Sequence, residues 1–304
     1  MFMVRCTFTY LSFVAVLYSS LVYGFDFKQQ DDLFERRGEG FSVATEARHE
    51  YKKTIDNNHL STEDKIYAVS QMCRLDLYRG GMLVLEEKKQ RQTALKQCYS
   101  DVELIKHTNS QQYHYFKISS IGFLGKLASM SGRIKWALKM RAAEGDALSS
   151  TKKGGAYVGG FAGGGIMRVM SAVRGNRKAM PLGLYNPVEA LEFVNVSLRT
   201  NPDTYPPFPL PFSGEDYHEN YYYKAQAQVA LGIDKSNMNF ITEGLSTLNA
   251  AIERLDDLEI LEELPLGREP ETLFYKSMMV ELRDKITDCS NDPHWKTCLA
   301  TFLK

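Results

Sequence analysis

Apolar positions at helical spacing run through most of this chain, and no convincing strand-type alternation appears. Ser61 caps a helix, with Asp64 three residues on in place of the usual Glu, and Ile66, Val69, Met72, Cys73 and Leu77 form its apolar face. Gly80 and Gly81 end it. A second helix is predicted from about Glu87 to His107 through Leu95, Cys98, Tyr99, Val102 and Ile105. A third, Gln111 to about Met130, is the most apolar, and Ser131-Gly132 predicts a tight turn before a fourth from Arg133 to about Leu148. Asn186-Pro187-Val188-Glu189 is a strong start signal for a helix that stops at Asn201-Pro202. Further helices are predicted over 221–231, 239–255, 271–286 and 295–302. Residues 28–57 are highly charged and read as an irregular lead-in followed by one helix from about Thr45. The expected fold class is all-α, and the short connections place neighbouring helices antiparallel.

Three hairpins share a spacing known from tetratricopeptide repeats, in which a Leu-Gly pair on one helix precedes a small residue on the next. Leu124-Gly125 is followed by Ala137, and Leu231-Gly232 by Gly244, Leu248 and Ala251. Between them Ala190, Val194, Ser197 and Pro202 reproduce a second helix and its closing proline. The small positions 137, 190 and 244 lie further apart than the standard repeat of about 34 residues, so Gly-rich and Pro-rich insertions must fill each unit. Arg141 and Glu144 depart from the pattern, no Leu-Gly pair precedes Ala190, and Asp234 to Asn237 interrupts the last unit. The expectation is a tetratricopeptide-like solenoid of stacked antiparallel hairpins; chance matching in a helical chain is the alternative.

The composition shifts over 154–165, where Gly155, Gly159 and Gly163, and likewise Gly160 and Gly164, recur every four residues. If the segment is helical, each set lines one face and lets a neighbour approach the backbone, at about 1 kcal/mol of helix propensity per glycine. A phosphate loop fails on spacing, since there is no Gly-x-Gly-x-x-Gly and Gly125-Lys126 is followed by Leu127. A membrane-inserting hairpin would be weakly hydrophobic. Close packing of a buried helix is the preferred reading.

Charge and cysteine usage address the compartment. Arg5 is the one charge before Asp26, and the stretch between ends in Val22, Tyr23 and Gly24, the layout of a secretory signal peptide with Phe25 as the new first residue. The alternative is an uncleaved anchor, although the apolar part is short of the roughly 20 residues of a membrane span. No Cys follows the apolar run to carry a lipid. The expected organisation is a leader at 1–24 and a single helical-repeat domain at 25–304, periplasmic or secreted. Lys and Arg total 37 against 37 Asp and Glu, a balance that disfavours nucleic acid as a partner. Cys289 and Cys298 flank an Asn-Asp-Pro turn and are a candidate short-loop disulfide; Cys73 and Cys98 pair only if the registers of two helices allow it, with free thiols the alternative in both cases.

No catalytic motif is found. The six histidines lack metal-ligand spacing, no Gly-x-Ser-x-Gly elbow exists, and no metal or cofactor is expected. Asn195-Val196-Ser197 is a glycosylation sequon, but inside a helix. Aromatic residues are the richer feature: Tyr205, Phe208, Phe212, Tyr217 and Tyr221-Tyr222-Tyr223 surround a proline-rich loop. Tyr joins a flat apolar body to a hydrogen-bonding tip, suited to an extended peptide or an apolar small molecule, and equally to filling space between helices.

Gly163 to Met170, the connector ending Pro181-Leu182-Gly183-Leu184, and Tyr185 to Phe193 resemble the exported T-component proteins associated with TRAP transporters. The resemblance covers about residues 118–255. It implies a tetratricopeptide-like bundle around a pore or cavity, oligomerisation, and a role beside an exported solute-binding partner of a transporter, and its matched positions are Arg168 and the glycines around it. The absent lipid-attachment Cys departs from the family. The expected function is an exported, non-enzymatic scaffold for protein contacts, with candidate ligand- or partner-binding residues Gly159, Gly163, Gly164, Arg168, Tyr205, Phe208, Tyr221 and Tyr222 and with homo-oligomerisation open. Its rivals are a small-molecule binder with a helix-lined cavity and an enzyme of unrecognised type.

Overall fold

The computed structural model describes residues 25–158, 160–201, 213–260 and 268–303. The leader, Gly159, and the loop with Pro202, Tyr205, Phe208 and Phe212 therefore lie outside the described residues. The fold is all-α: α1 Lys28–Glu35, α2 Phe41–Asn57, α3 Thr62–Leu77, α4 Lys88–Asp101, α5 Gln111–Leu127, α6 Met130–Ser149, α7 Phe161–Arg174, α8 Pro187–Leu198, α9 Glu219–Lys235, α10 Met238–Ile260, α11 Glu269–Ser290 and α12 Trp295–Phe302. A π turn at Tyr78–Met82 extends α3, and 3-10 turns follow α1, α4 and α7. No described helix is long and apolar enough to cross a membrane.

Local chemistry fixes the helix ends. Ser61 and Ser110 accept the backbone N–H of Asp64 and Tyr113, and Asn186 accepts that of Glu189 with Pro187 opening the helix. Left-handed Asn109 and Ser236, at φ 48° and 54°, reverse the chain into α5 and α10.

Successive helices pack against each other, and α3, α5, α7, α9 and α11 also touch their next-but-one neighbours. These alternate helices form an inner layer, and the even-numbered ones lie outside it. Small residues set the hairpin spacing, as Gly244 shows: a Cβ there would stand 3.0 Å from Val229. The inner layer closes on itself. α11 meets the turn after α1 and the π turn after α3, with Arg37 Nη2 2.7 Å from Glu271 and Gly38 against Pro270.

Four expectations are corrected. Residues 28–44 are not irregular: α1 buries Gln30 and Phe34, one turn apart, and the Phe34 ring lies between the guanidiniums of Arg37 and Arg74. Its sparse apolar pattern missed this because two guanidiniums supply part of the ring's cover. The turn before α6 falls at Ala128–Ser129, leaving Ser131 and Gly132 inside the helix. Asp234 and Lys235 complete α9 rather than interrupting a helix, and the break comes at Ser236.

The Gly-rich segment is not a helical stripe. Lys152–Lys153 and Ala156–Tyr157 form a short antiparallel hairpin, β1–β2, turned by Gly154 and Gly155 at φ 60° and 86°. Here the loss of helix propensity at consecutive glycines wins. Helical hydrogen bonding begins at Phe161, and even there Ala162, Gly163 and Gly164 are left-handed.

Candidate ligand-binding cavity

The left-handed turn at 162–164 organises one end of the inner layer. Right-handed helices are the default for L-residues, so such a turn requires strong external bonds. Phe161 N–H donates to Gln111 Oε1 at 2.7 Å. A side chain on Gly163 would collide with the Tyr217 ring, and a Cβ on Gly164 would lie 2.7 Å from Ser197 Cα. The freed carbonyls turn toward Arg168, whose Nη2 donates to Ala162 O at 3.1 Å and whose Nη1 lies 3.4 Å from Gly163 O. The buried Ser197 hydroxyl sits 2.9 Å from Gly163 O and 2.9 Å from Asn220 Oδ1. The sequon serine is thus a packing residue.

Charges gather around this turn. Arg268 Nη2 lies 2.9 Å from both oxygens of Glu219, and its guanidinium stacks 3.7 Å from the Tyr217 ring centre. Arg168 Nε is 3.5 Å from Glu219. Burial acts to raise the Glu219 carboxyl, but Arg268 and Arg168 overrule it and hold it well below the usual carboxylate range. Arg37 forms a two-pronged pair with Glu271, at 3.0 and 2.7 Å.

Arg74 is different. Its Nη1 donates to Gln71 Oε1 at 2.9 Å and it stacks over Phe34 at 4.4 Å, but no carboxylate among the described residues lies within ion-pair distance. Burial, then repulsion from Arg37, lowers its pKa against the opposing field of Glu271.

Arg74, Arg168, Tyr217, Glu219, Arg268 and Glu271 line a cavity of about 300 Å³ at the centre of the inner layer. Tyr115 and Lys126 both line it, so it extends along α5 for about 16 Å at 1.5 Å per residue. Tyr115, Phe161, Tyr217 and Arg268 mark one end. The walls are apolar, with Leu77, Phe116, Ile121, Phe123, Trp136, Met140, Val169, Phe274 and Met278 prominent among the lining residues. Lys126 and Lys178 are exposed at the other end, near half-buried Arg133. Tyr223 and Tyr275 share a hydrogen bond at 2.9 Å in the wall, and burial pushes Tyr223 up to about 12, so both are neutral phenols.

The structure thus brings together Gly163, Gly164, Arg168 and Ser197 from the expected residues. Tyr222 lines the cavity, whereas Tyr221 does not and packs into the α9–α12 core beside His218. Of the repeat positions, Gly125 and Ala137 line the cavity and Leu124 lies buried behind them. Ala190, Gly244 and Ala251 are buried in packing between helices. Cys289 and Cys298 are joined with Cα atoms 5.6 Å apart, and Cys73 and Cys98 with Cα atoms 4.7 Å apart. Lining residues come from α3, α5, α6, α7, α9 and α11.

Sequence reasoning missed Arg74, Glu219, Arg268 and Tyr275. A buried charge carries no periodic signal, and Glu219 reads as surface unless Arg268, 49 residues on, is known to meet it. Among the described residues no group of His, Cys, Asp and Glu is placed to hold a metal. Both carboxylates lining the cavity are held by arginines, and the wall hydroxyl of Ser119 has no hydrogen-bond partner among the described residues. That arrangement suits binding: an apolar channel with fixed charges at one end.

Comparison with protein-family models and with curated proteins finds no match to this chain. The resemblance across 118–255 therefore rests on the quoted residues alone.

Proposed function

We propose that this chain is an exported, non-enzymatic helical-repeat protein that holds a small ligand with an apolar body in its central cavity. The observation that carries this reading is the apolar channel through the closed inner layer, whose volume falls in the range of about 300–1,000 Å³ common to small-molecule sites. The fold that frames it is a tetratricopeptide-like solenoid wound until its last hairpin meets its first. Two disulfides support an oxidising compartment and hence export.

A neutral apolar fluorophore, N-phenyl-1-naphthylamine, tests the reading. Saturable binding of about one probe per chain is expected, reduced at least tenfold in Ala172→Trp, which fills the channel from α7. Absence of saturable binding, or full binding to the folded Ala172→Trp protein, contradicts it.

A second reading has its own observation. Met130, Ile134 and Leu138, at successive turns of α6, are 62%, 50% and 61% exposed and form an apolar stripe suited to a protein partner. This favours the scaffold function, beside a transporter's solute-binding component or a second copy of the chain. A stoichiometric partner recovered with the wild type and lost with Ile134→Asp supports it.

A further inference from the structure

The charges at the closed end of the cavity do not balance. Arg37 and Glu271 satisfy each other at 2.7 and 3.0 Å. Arg268 and Arg168 share the single carboxylate of Glu219. Arg74 completes a set of four guanidiniums against two carboxylates, and it lines the cavity without an acidic partner in contact. Three acids act on it from beyond ion-pair distance: Glu271, which Arg37 holds, and Asp31 and Glu35 of α1, of which Asp31 is engaged by the hydroxyls of Tyr51 and Tyr67.

A part-buried guanidinium with no carboxylate in contact gains most from one brought by a ligand into the same low-dielectric site. Nη1 of Arg74 is held by Gln71, which leaves Nε and Nη2 as an open fork. A planar carboxylate fits such a fork with two parallel hydrogen bonds. Immediately along α3 from Arg74 the lining turns apolar with Leu77, Tyr78 and Met82, and Phe123 of α5 packs on Gly81 at the same level. An anion seated on Arg74 therefore points its remainder down a hydrophobic channel.

We propose that the cavity binds a monocarboxylate amphiphile, with its carboxylate on Arg74 at the closed end and its hydrocarbon body along α5 and α7 toward Lys126 and Lys178. The proposal rests on the cavity reading above and names the class of ligand. The channel length of about 16 Å accommodates a medium-length alkyl chain in extended form. Burial and the neighbouring Arg37 lower the pKa of Arg74 although the carboxylate of Glu271 acts to raise it, which agrees with a site where cations outweigh acids. The cations at the open end, Lys126 and Lys178, also attract an acid, but both side chains are exposed at the surface.

Decanoate and 1-decanol, equal in chain length and different in head group, are titrated as displacers of bound N-phenyl-1-naphthylamine. For the wild type, decanoate is expected to displace the probe at least tenfold more tightly than decanol. In Arg74→Gln, which keeps hydrogen-bonding capacity and loses the charge, that preference falls to less than threefold while the probe still binds within twofold of wild type. Lys126→Gln keeps the preference within threefold. Equal affinities for acid and alcohol in the wild type overturn the proposal, as does a preference abolished by Lys126→Gln and untouched by Arg74→Gln. Failure of the neutral probe to bind at all defeats the cavity reading itself, a result distinct from probe binding without acid preference.

Discussion

Two buried charge clusters in this molecule look alike and are built differently. In the first, Arg48 reaches both oxygens of Asp76 at 2.9 Å and also pairs with Asp101, while Arg79 donates to Asp76 at 2.9 Å. Two cations meet two anions and tie α2, α3 and α4 together. Burial raises the Asp76 carboxyl to about 7, so above that pH the cluster is neutral. The second cluster, at the closed end of the cavity, sets four guanidiniums against two carboxylates. A balanced cluster is complete without a ligand; the unbalanced one is complete only with an anion. The comparison separates a structural fastening from a binding site that the same residue types can form.

The largest expected effect breaks the balanced cluster. Asp76→Leu leaves Arg79 buried without its acid, and urea unfolding at pH 8 is expected to show a loss of about 3–5 kcal/mol. A loss under about 1 kcal/mol would mean that water reaches the cluster and the comparison is misdrawn. The disulfide joining α3 to α4 fastens the same elements covalently. Replacing Cys73 and Cys98 together with Ala is expected to lower stability by about 3.5 kcal/mol, against about 2.5 kcal/mol for Cys289 and Cys298, because the first bridge closes the longer loop. The reverse order would show that strain or residual unfolded structure outweighs loop entropy.

His218 sharpens the comparison from the other side, since it adjoins Glu219 and yet stays neutral. It is buried, both ring nitrogens lack hydrogen-bond partners among the described residues, and burial lowers its pKa to about 4. An unfolded histidine titrates near 6.5. Its contribution is therefore present above pH 6.5 and lost as the pH falls toward 4, by about 3 kcal/mol. The stability curve of His218→Phe should be flatter over that window; an unchanged slope would place the acid sensitivity elsewhere.

Much of the helical framework was legible in the sequence because it rests on local signals. Ser61, Ser110 and Asn186-Pro187 mark helix starts, and the small residues Gly125, Ala137, Ala190 and Gly244 sit where helices meet. The misreadings have common physical causes. The glycines at 154–164 satisfy a four-residue period and are used instead for a hairpin turn and a left-handed turn, which spacing cannot distinguish from a helix face. The α1 ring, Phe34, is covered by Arg37 of the adjoining turn and by Arg74 from a distant segment, which the apolar pattern does not record. The candidate site was legible in part: Arg168 and its glycines were singled out, and Tyr222 lines the cavity. Arg74, Glu219 and Arg268 come together only when α11 closes against the first helices, a contact across more than 200 residues that no local pattern records.

The unbalanced charge at Arg74 serves a ligand, beyond the cover its side chain gives Phe34. The most direct test is the stability of ligand-free Arg74→Met in urea, a change that keeps an unbranched apolar stem and removes the charge. The account predicts a protein as stable as wild type or more stable by about 1 kcal/mol, since a buried charge without an acid is relieved at the loss of one hydrogen bond and one ring contact. A loss of 2 kcal/mol or more would contradict it and place Arg74 among the structural fastenings beside Arg48.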